Sequence, residues 1–320
     1  MKSSIFSFVA VVLLSLSGVT AQAALGDYFV TTDWLAQNQD KVTLVDVRKA
    51  PLHYLGHIDG SHHVGRDQFL SRRNEVKSLV PTASEFLELA NQLGITRDSM
   101  VVAYADDKNP YAARFVWTLR FHGHEKAYVL DGGYEKWAQE NRPTAILPTA
   151  SAARSNYQLA STPSTQSHIR AESDYLLTRA GNPAVVIWDT RRSAEYTGTE
   201  VRADRGGHIP GATHLNWVEL QTEVNGVKIL KGREEIVALL NSKGFTPDKE
   251  IIAHCQTGIR SAYATLVLLS LDYPQARNYD GSWIEWANNP NLPIIAADGK
   301  LESAVKVSST GNPKSAASKL

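Results

Sequence analysis

The sequence predicts an α/β protein built from two copies of one domain, each a mainly parallel sheet with helices on both faces. Three observations predict it. The chain has 320 residues, more than a single hydrophobic core usually serves, so two domains follow from length. Short β-branched runs ending in polar turns alternate with helical patterns, the arrangement that parallel strands with crossover helices require. Four blocks then recur in the same order. Leu44-Val45-Asp46-Val47-Arg48 returns as Ile187-Trp188-Asp189-Thr190-Arg191, and Gly56-His57-Ile58-Asp59-Gly60 returns as Gly207-His208-Ile209-Pro210-Gly211. Asp98-Ser99-Met100-Val101-Val102-Ala103 matches Asp248-Lys249-Glu250-Ile251-Ile252-Ala253, and Asp131-Gly132-Gly133 with Trp137 matches Asp280-Gly281-Ser282 with Trp286.

Taken in order, the chain opens on a segment unlike the rest. Lys2 gives a short positive start, Ile5 to Leu16 is mostly apolar, and Ala21-Gln22-Ala23 is a small-residue cleavage signal. Residues 1–23 read as a secretory signal peptide; the apolar run, broken by Ser7, Ser15 and Ser17, is too short for a membrane anchor. Export predicts a periplasmic protein with no membrane partner once the signal is removed. The first copy spans 24–147, the second 148–300 and a tail 301–320.

Within the first copy, Pro81 to Ala90 carries a helical pattern that Thr82 or Ser84 can cap and Gly94 can end. Its counterpart runs from Arg233 to Leu240 and closes near Gly244. Pro143 to Ser167 is rich in Pro, Ser, Thr and Ala and reads as the connector, with one strand at Asn156 to Ala160. From about Ser308 the tail is expected to fray.

Lys+Arg and Asp+Glu number 33 each, and 43% of residues are hydrophobic. That balance leaves no basic excess for a phosphate backbone, so nucleic acid is not an expected partner. One cysteine is present, Cys255. In an oxidising compartment it can make no internal disulfide, which fits redox or sulfur chemistry at that position.

Cys255 stands where the apolar run Ile251-Ile252-Ala253 gives way through His254 to Cys255-Gln256-Thr257-Gly258-Ile259-Arg260, and a helical stretch from Ser261 to Leu269 follows. A strand, a tight loop and a helix opening on that loop put one sulfur at the positive end of a helix among backbone N–H groups. The expected product is a thiolate of lowered pKa in an anion cradle, beyond the carboxyl end of a strand, where α/β sheets hold their ligands. Gly258 can take a positive φ and let the loop curl. Arg260 offers a planar fork to paired anionic oxygens, or a brace for the loop.

In these repeated blocks and the Cys255 loop the chain resembles the rhodanese superfamily, specifically its tandem-domain sulfurtransferases, from about Tyr28 to Ile295. The resemblance implies two rhodanese-like domains, of which only the second is catalytic: Ala105 stands where the second copy has Cys255. It implies Cys255 as nucleophile, with Gln256, Thr257, Gly258, Ile259 and Arg260 binding the substrate. The function it implies is an exported thiosulfate sulfurtransferase, moving sulfane sulfur from thiosulfate to cyanide or a thiol through a Cys255 persulfide. Its partners are a small anionic donor and a thiophilic acceptor, with a protein sulfur acceptor as a further class; no cofactor and no metal are implied. Two alternatives stay open: a 3-mercaptopyruvate sulfurtransferase, and a non-turnover persulfide carrier in a periplasmic pathway.

Related cysteine phosphatases place five residues between Cys and Arg, whereas four separate Cys255 from Arg260, a cradle sized for sulfur. No acidic residue in the loop could protonate a leaving alcohol. Animal-type tandem enzymes resemble Cys-Arg-Lys-Gly-Val-Thr or Cys-Gly-x-Gly-Val-Thr at this loop, and carry a substrate-binding Arg where this chain has Glu195. That exchange counts against mercaptopyruvate, whose carboxylate would meet a negative charge. Arg191, repeated as Arg48, reads as a structural partner of Asp189, Glu195 or a carbonyl.

His57 and His208 recur at one turn, which fits structural hydrogen bonding, and His62 and His63 lack a further ligand at a zinc spacing. Trp283 and Trp286 read as core, and Gly132-Gly133 as a turn. Strand alternation points the His254 ring away from the Cys255 side chain.

Overall fold

The structure, a computed structural model, describes residues 27–159 and 168–303. The expected signal peptide, Ala160 and the tail beyond 303 lie outside the described residues. Each copy holds a five-stranded sheet whose neighbouring strands all run parallel. In the first, the spatial order is Phe29–Val30, Ala127–Leu130, Met100–Tyr104, Val42–Asp46, His62–His63. In the second it is Arg170–Ala171, Ala276–Tyr279, Glu250–His254, Val185–Asp189, Thr213–His214. The repeated blocks therefore occupy equivalent strands, and Ala105 and Cys255 each follow the central one.

The central strands are apolar on both faces, as helix-covered parallel strands must be; all five residues of Glu250–His254 are buried. One face of each sheet packs outward, around Leu44, Tyr104 and Trp137 in the first copy and around Ile187, Ile252 and Trp286 in the second. The other faces meet in one continuous core shared by both copies. At its centre the helices Tyr111–Phe121 and Ile259–Ser270 lie against each other. Phe29 meets Tyr263 edge-on at 5.6 Å there.

Each copy also reaches into the other. The antiparallel hairpin Gln221–Val224 and Val227–Leu230 turns on Asn225 and Gly226, both at positive φ. It brings the Leu230 N–H to Asp131 Oδ1 at 3.0 Å and the Lys228 N–H to Asp107 Oδ2 at 2.7 Å. Reciprocally, the hairpin Ser71–Arg73 and Val76–Leu79 leads to Val80, whose N–H donates to Asp280 Oδ2 at 3.0 Å.

The helix Ala83–Gln92 begins at Thr82, whose hydroxyl accepts from the Glu85 N–H while Glu85 bonds back to Thr82. Gly94 follows it at φ 65. The matching helix is Arg233–Ser242, with Gly244 at φ 76. Trp137 and Trp286 close the two copies alike, their indole N–H groups donating to the Pro143 and Pro293 carbonyls at 2.8 and 2.7 Å.

One sequence expectation needs correction. No strand forms over residues 156–159. The connector instead lies on the first copy, where Asn91 Oδ1 accepts from the Tyr157 N–H at 2.6 Å and the Tyr157 ring meets Phe86 edge-on. The Ser155 and Tyr157 N–H groups are satisfied by Asn91 at the end of that helix, and the Tyr157 side chain by the core, so no partner strand is needed. At the end of the second copy Leu301–Glu302 pairs antiparallel with Ile294–Ile295, and the stretch from Ser308 expected to fray lies outside the described residues.

Candidate active site

Cys255 leaves the Glu250–His254 strand and is 1% exposed. Its N–H donates to Ser282 Oγ at 3.2 Å, and its carbonyl accepts from the Trp283 N–H at 3.0 Å. The Gln256 carbonyl accepts from the Ile284 N–H, and Gln256 Nε2 donates to the Arg202 carbonyl at 2.8 Å. Gly258 caps the Ile259–Ser270 helix at φ 75. A Cβ there would stand 2.5 Å from the Asp280 carbonyl oxygen and 3.2 Å from Arg114 Nη1, so glycine is required by both conformation and space. Arg114 Nη1 and Asn278 Nδ2 donate to the Gly258 carbonyl at 3.1 and 3.0 Å.

Around the sulfur, Ser261 Oγ donates to Sγ at 3.6 Å. Burial by itself would raise the thiol pKa. It is outweighed by the Arg260 charge, the Ser261 N–H and hydroxyl and the Thr257 N–H, which together hold it below the ordinary thiol value. The helix that begins at Ile259 adds its positive end to the same place. The arrangement can hold a thiolate, or another anion on that sulfur, without a general base.

Arg260 is paired. Its Nη1 and Nη2 donate to Glu195 Oε2 and Oε1 at 2.7 and 2.9 Å, and its side chain keeps 15% exposure. Glu195 is buried and also accepts from Arg192 Nε and Arg202 Nη1, each at 3.1 Å. Burial would raise the Glu195 pKa, but Arg260 foremost and then Arg192 pull it down to about 2. Glu195 and the Cys255 sulfur in turn keep Arg260 charged against its own burial.

All six loop residues singled out in the sequence thus lie in one turn under one helix end. Cys255, Gln256, Gly258 and Ile259 are buried, while Thr257 and Arg260 are half-buried. Ser261, Ser282 and Arg114 were not singled out. A comparison of the copies carries a signal for two of them, since, counted back from the helix ends Phe121 and Ser270, Ala112 stands in place of Ser261, and Gly133 stands in place of Ser282. Ser282 holds φ 54, a left-handed conformation rare outside glycine, and its hydroxyl donates to the Tyr279 carbonyl at 2.8 Å. Gly133 holds φ 57, and a Cβ there would lie 2.3 Å from the Ala105 carbonyl oxygen.

The neighbouring polar groups are structural. Arg191 pairs with Asp189 at 2.6 Å and donates to the Gly207 carbonyl; Arg48 does the same with Asp46 and Gly56. His57 and His208 Nδ1 lie 2.9 and 3.0 Å from the His53 and Tyr196 carbonyls. His254 Nε2 lies 3.6 Å from Asp189, and burial pulls its pKa down to about 4, so it is neutral at pH 7. Trp283 and Trp286 are core residues. In the first copy Ala105 is buried without a thiol, and Asp107 is engaged by the opposite hairpin.

The Rhodanese-like domain pattern matches residues 31–140 and again 172–289. A thiosulfate sulfurtransferase of Azotobacter vinelandii is 34% identical over 255 residues, which cover 79% of this chain and 91% of that protein. The sulfur carrier protein TtuD of Thermus thermophilus is 34% identical over 292 residues, covering 85% of this chain and 98% of its own. The solved structure of wild-type EanB, 20% identical, superposes with a TM-score of 0.74 over 84% of this chain and 69% of its own, which shows a shared fold. The twice-matched domain and these relatives establish that the chain belongs to the rhodanese superfamily, as a tandem-domain sulfurtransferase.

Proposed function

We propose that the chain is a thiosulfate sulfurtransferase in which Cys255 carries the sulfur. The observation that supports this reading most directly is the Cys255 thiol held below its ordinary pKa at the N-terminus of the Ile259–Ser270 helix. The Cys255 thiolate attacks the outer sulfur of thiosulfate, the S–S bond breaks, and its electron pair leaves with sulfite. The persulfide anion then sits among the N–H groups of the loop and the Ser261 hydroxyl. Cyanide or a thiolate attacks the outer sulfur next, and the Cys255 thiolate is the leaving group. The two steps balance without an oxidant, a reductant or a cofactor.

Two alternatives are weighed against specific residues. Mercaptopyruvate brings a carboxylate, and Glu195 already holds both Arg260 nitrogens with the same chemistry. A carrier without turnover is favoured by the relative named a sulfur carrier and by the burial of Cys255, which suits transfer to a docked partner. Steady-state thiosulfate:cyanide turnover tests the reading, with mass spectrometry of the thiosulfate-treated protein alongside. A stable persulfide with negligible turnover would assign the carrier role instead. Residues 1–23 are proposed to export the protein to the periplasm; N-terminal sequencing of protein from that fraction should begin after Ala23.

A further inference from the structure

Arg114 belongs to the copy without a thiol, yet it reaches the Cys255 loop. It is fully buried. Its Nη1 donates to the Gly258 carbonyl at 3.1 Å, and its Nη2 donates to Asp280 Oδ1 at 2.6 Å and to the Ser78 carbonyl at 2.9 Å. Counted back from the ends of the two helices, Phe121 and Ser270, the residue that matches Arg114 is Tyr263, whose ring meets Phe29 of the first copy. Both residues cross between the copies, but only Arg114 brings a guanidinium, and it brings it to the loop that carries the thiol.

We propose that Arg114 is a positioning residue: by holding the Gly258 carbonyl, it fixes the plane of the Gly258–Ile259 peptide and with it the N–H groups that face the Cys255 sulfur. The inference rests on reading Cys255 as the sulfur-carrying nucleophile. A trans peptide is planar, so the Ile259 N–H must point opposite to the Gly258 carbonyl. Gly258, at φ 75 with no side chain, offers little of its own to resist rotation of that peptide. The restraint comes from outside the loop, from Arg114 and Asn278. The N–H groups of Thr257 and Ser261, on either side of this peptide, help to hold the Cys255 thiol below its ordinary pKa, and the Ser261 hydroxyl donates to the sulfur.

Arg114→Lys keeps a positive charge opposite Asp280 but replaces the fork with a single ammonium. Arg114→Met combined with Asp280→Asn removes both charges together, and Arg170, which also pairs with Asp280 at 3.3 Å, keeps Glu172 at 2.7 Å. In the full chain, the pH midpoint of Cys255 alkylation by iodoacetamide and the single-turnover rate of sulfur loading from thiosulfate are measured, with thermal midpoints. The double variant is expected to raise the alkylation midpoint by about one unit, a roughly tenfold loss of thiolate below it, and to slow loading in proportion. Arg114→Lys should fall between it and the wild type. A folded variant of either kind that keeps the wild-type midpoint and loading rate, even with lowered thermal stability, overturns the inference and leaves Arg114 an interface brace. Should the double variant not fold, Arg114→Lys decides. A wild type that gains no sulfur from thiosulfate defeats the sulfur-transfer reading separately, and the alkylation midpoints still judge Arg114.

Discussion

Arg260 and Glu195 meet as a two-pronged ion pair, Nη1 to Oε2 at 2.7 Å and Nη2 to Oε1 at 2.9 Å, with the carboxylate buried and the guanidinium at the mouth of the Cys255 loop. The pair gives Arg260 a structural duty beside any contact with a donor. Both nitrogens of its fork are engaged, so a donor oxygen must share the guanidinium with Glu195 or displace it.

Glu195→Gln tests that pairing through pH. The carboxyl sits at about 2 in the folded chain against an ordinary 4.5. A folded value below the unfolded one means that the stabilisation is present above the unfolded pKa and is lost as pH falls toward the folded one. The wild type is expected to exceed Glu195→Gln by on the order of 2 to 3 kcal/mol at neutral pH, narrowing between about pH 5 and pH 2. Thermal midpoints of both proteins across that range are the check. A gap that stays constant on acidification would mean that Glu195 acts through packing alone.

Arg260→Met removes the charge that most lowers the Cys255 pKa and leaves Glu195 with Arg192 and Arg202 only. Stability should fall by about 1 to 3 kcal/mol, and the alkylation midpoint of Cys255 should rise. Arg260→Lys keeps the charge without the fork and should restore most of the midpoint but less of the stability. If thiosulfate KM rises in Arg260→Met while the midpoint stays put, Arg260 binds the donor and does not tune the thiol.

Gly258→Ala places a methyl 2.5 Å from a backbone oxygen at a φ of 75, and no flexible side chain can yield there. The strain is about 1 to 3 kcal/mol, and the loop must shift to relieve it. Sulfur loading by mass spectrometry should drop more than the thermal midpoint suggests, because the same shift moves the N–H groups around the sulfur.

The tandem architecture was legible because the same turns must be built twice. Asp46-x-Arg48 and Asp189-x-Arg191 recur because each Arg closes a buried carboxylate and a glycine carbonyl. The Cys255 loop was legible for a local reason, a strand, a glycine and a helix within a dozen residues. Arg114 was not, because its partners Gly258 and Asp280 lie more than a hundred positions away and only tertiary packing joins them. The strand expected at Asn156 to Ala160 failed in 156–159 for the opposite reason. Local composition permitted it, but Asn91 and Phe86 on the first copy offered the connector a better site. The Asn225-Gly226 hairpin carried a readable turn signal whose role across the copies only the contacts with Asp107 and Asp131 reveal.

Ser261→Ala is the mildest probe of the cradle. Ser261 is fully buried in the first turn of the Ile259–Ser270 helix, and its hydroxyl donates to the Cys255 sulfur at 3.6 Å. The first copy has Ala112 at the matching helical position, so alanine fits the backbone there. The N–H of residue 261 survives the change, and only the hydroxyl is lost. A hydrogen bond to the charged form favours that form, so its loss should raise the Cys255 pKa. The expected rise is about half a unit to one unit, from a bond worth roughly 0.5 to 1.5 kcal/mol. Because alanine is the better helix former, the thermal midpoint should hold or rise slightly. Iodoacetamide alkylation as a function of pH measures the first effect, and single-turnover loading from thiosulfate should slow to match at pH values below the new midpoint. An unchanged midpoint would assign the stabilisation of the sulfur to the Thr257 and Ser261 N–H groups and the Arg260 charge, with the hydroxyl a bystander.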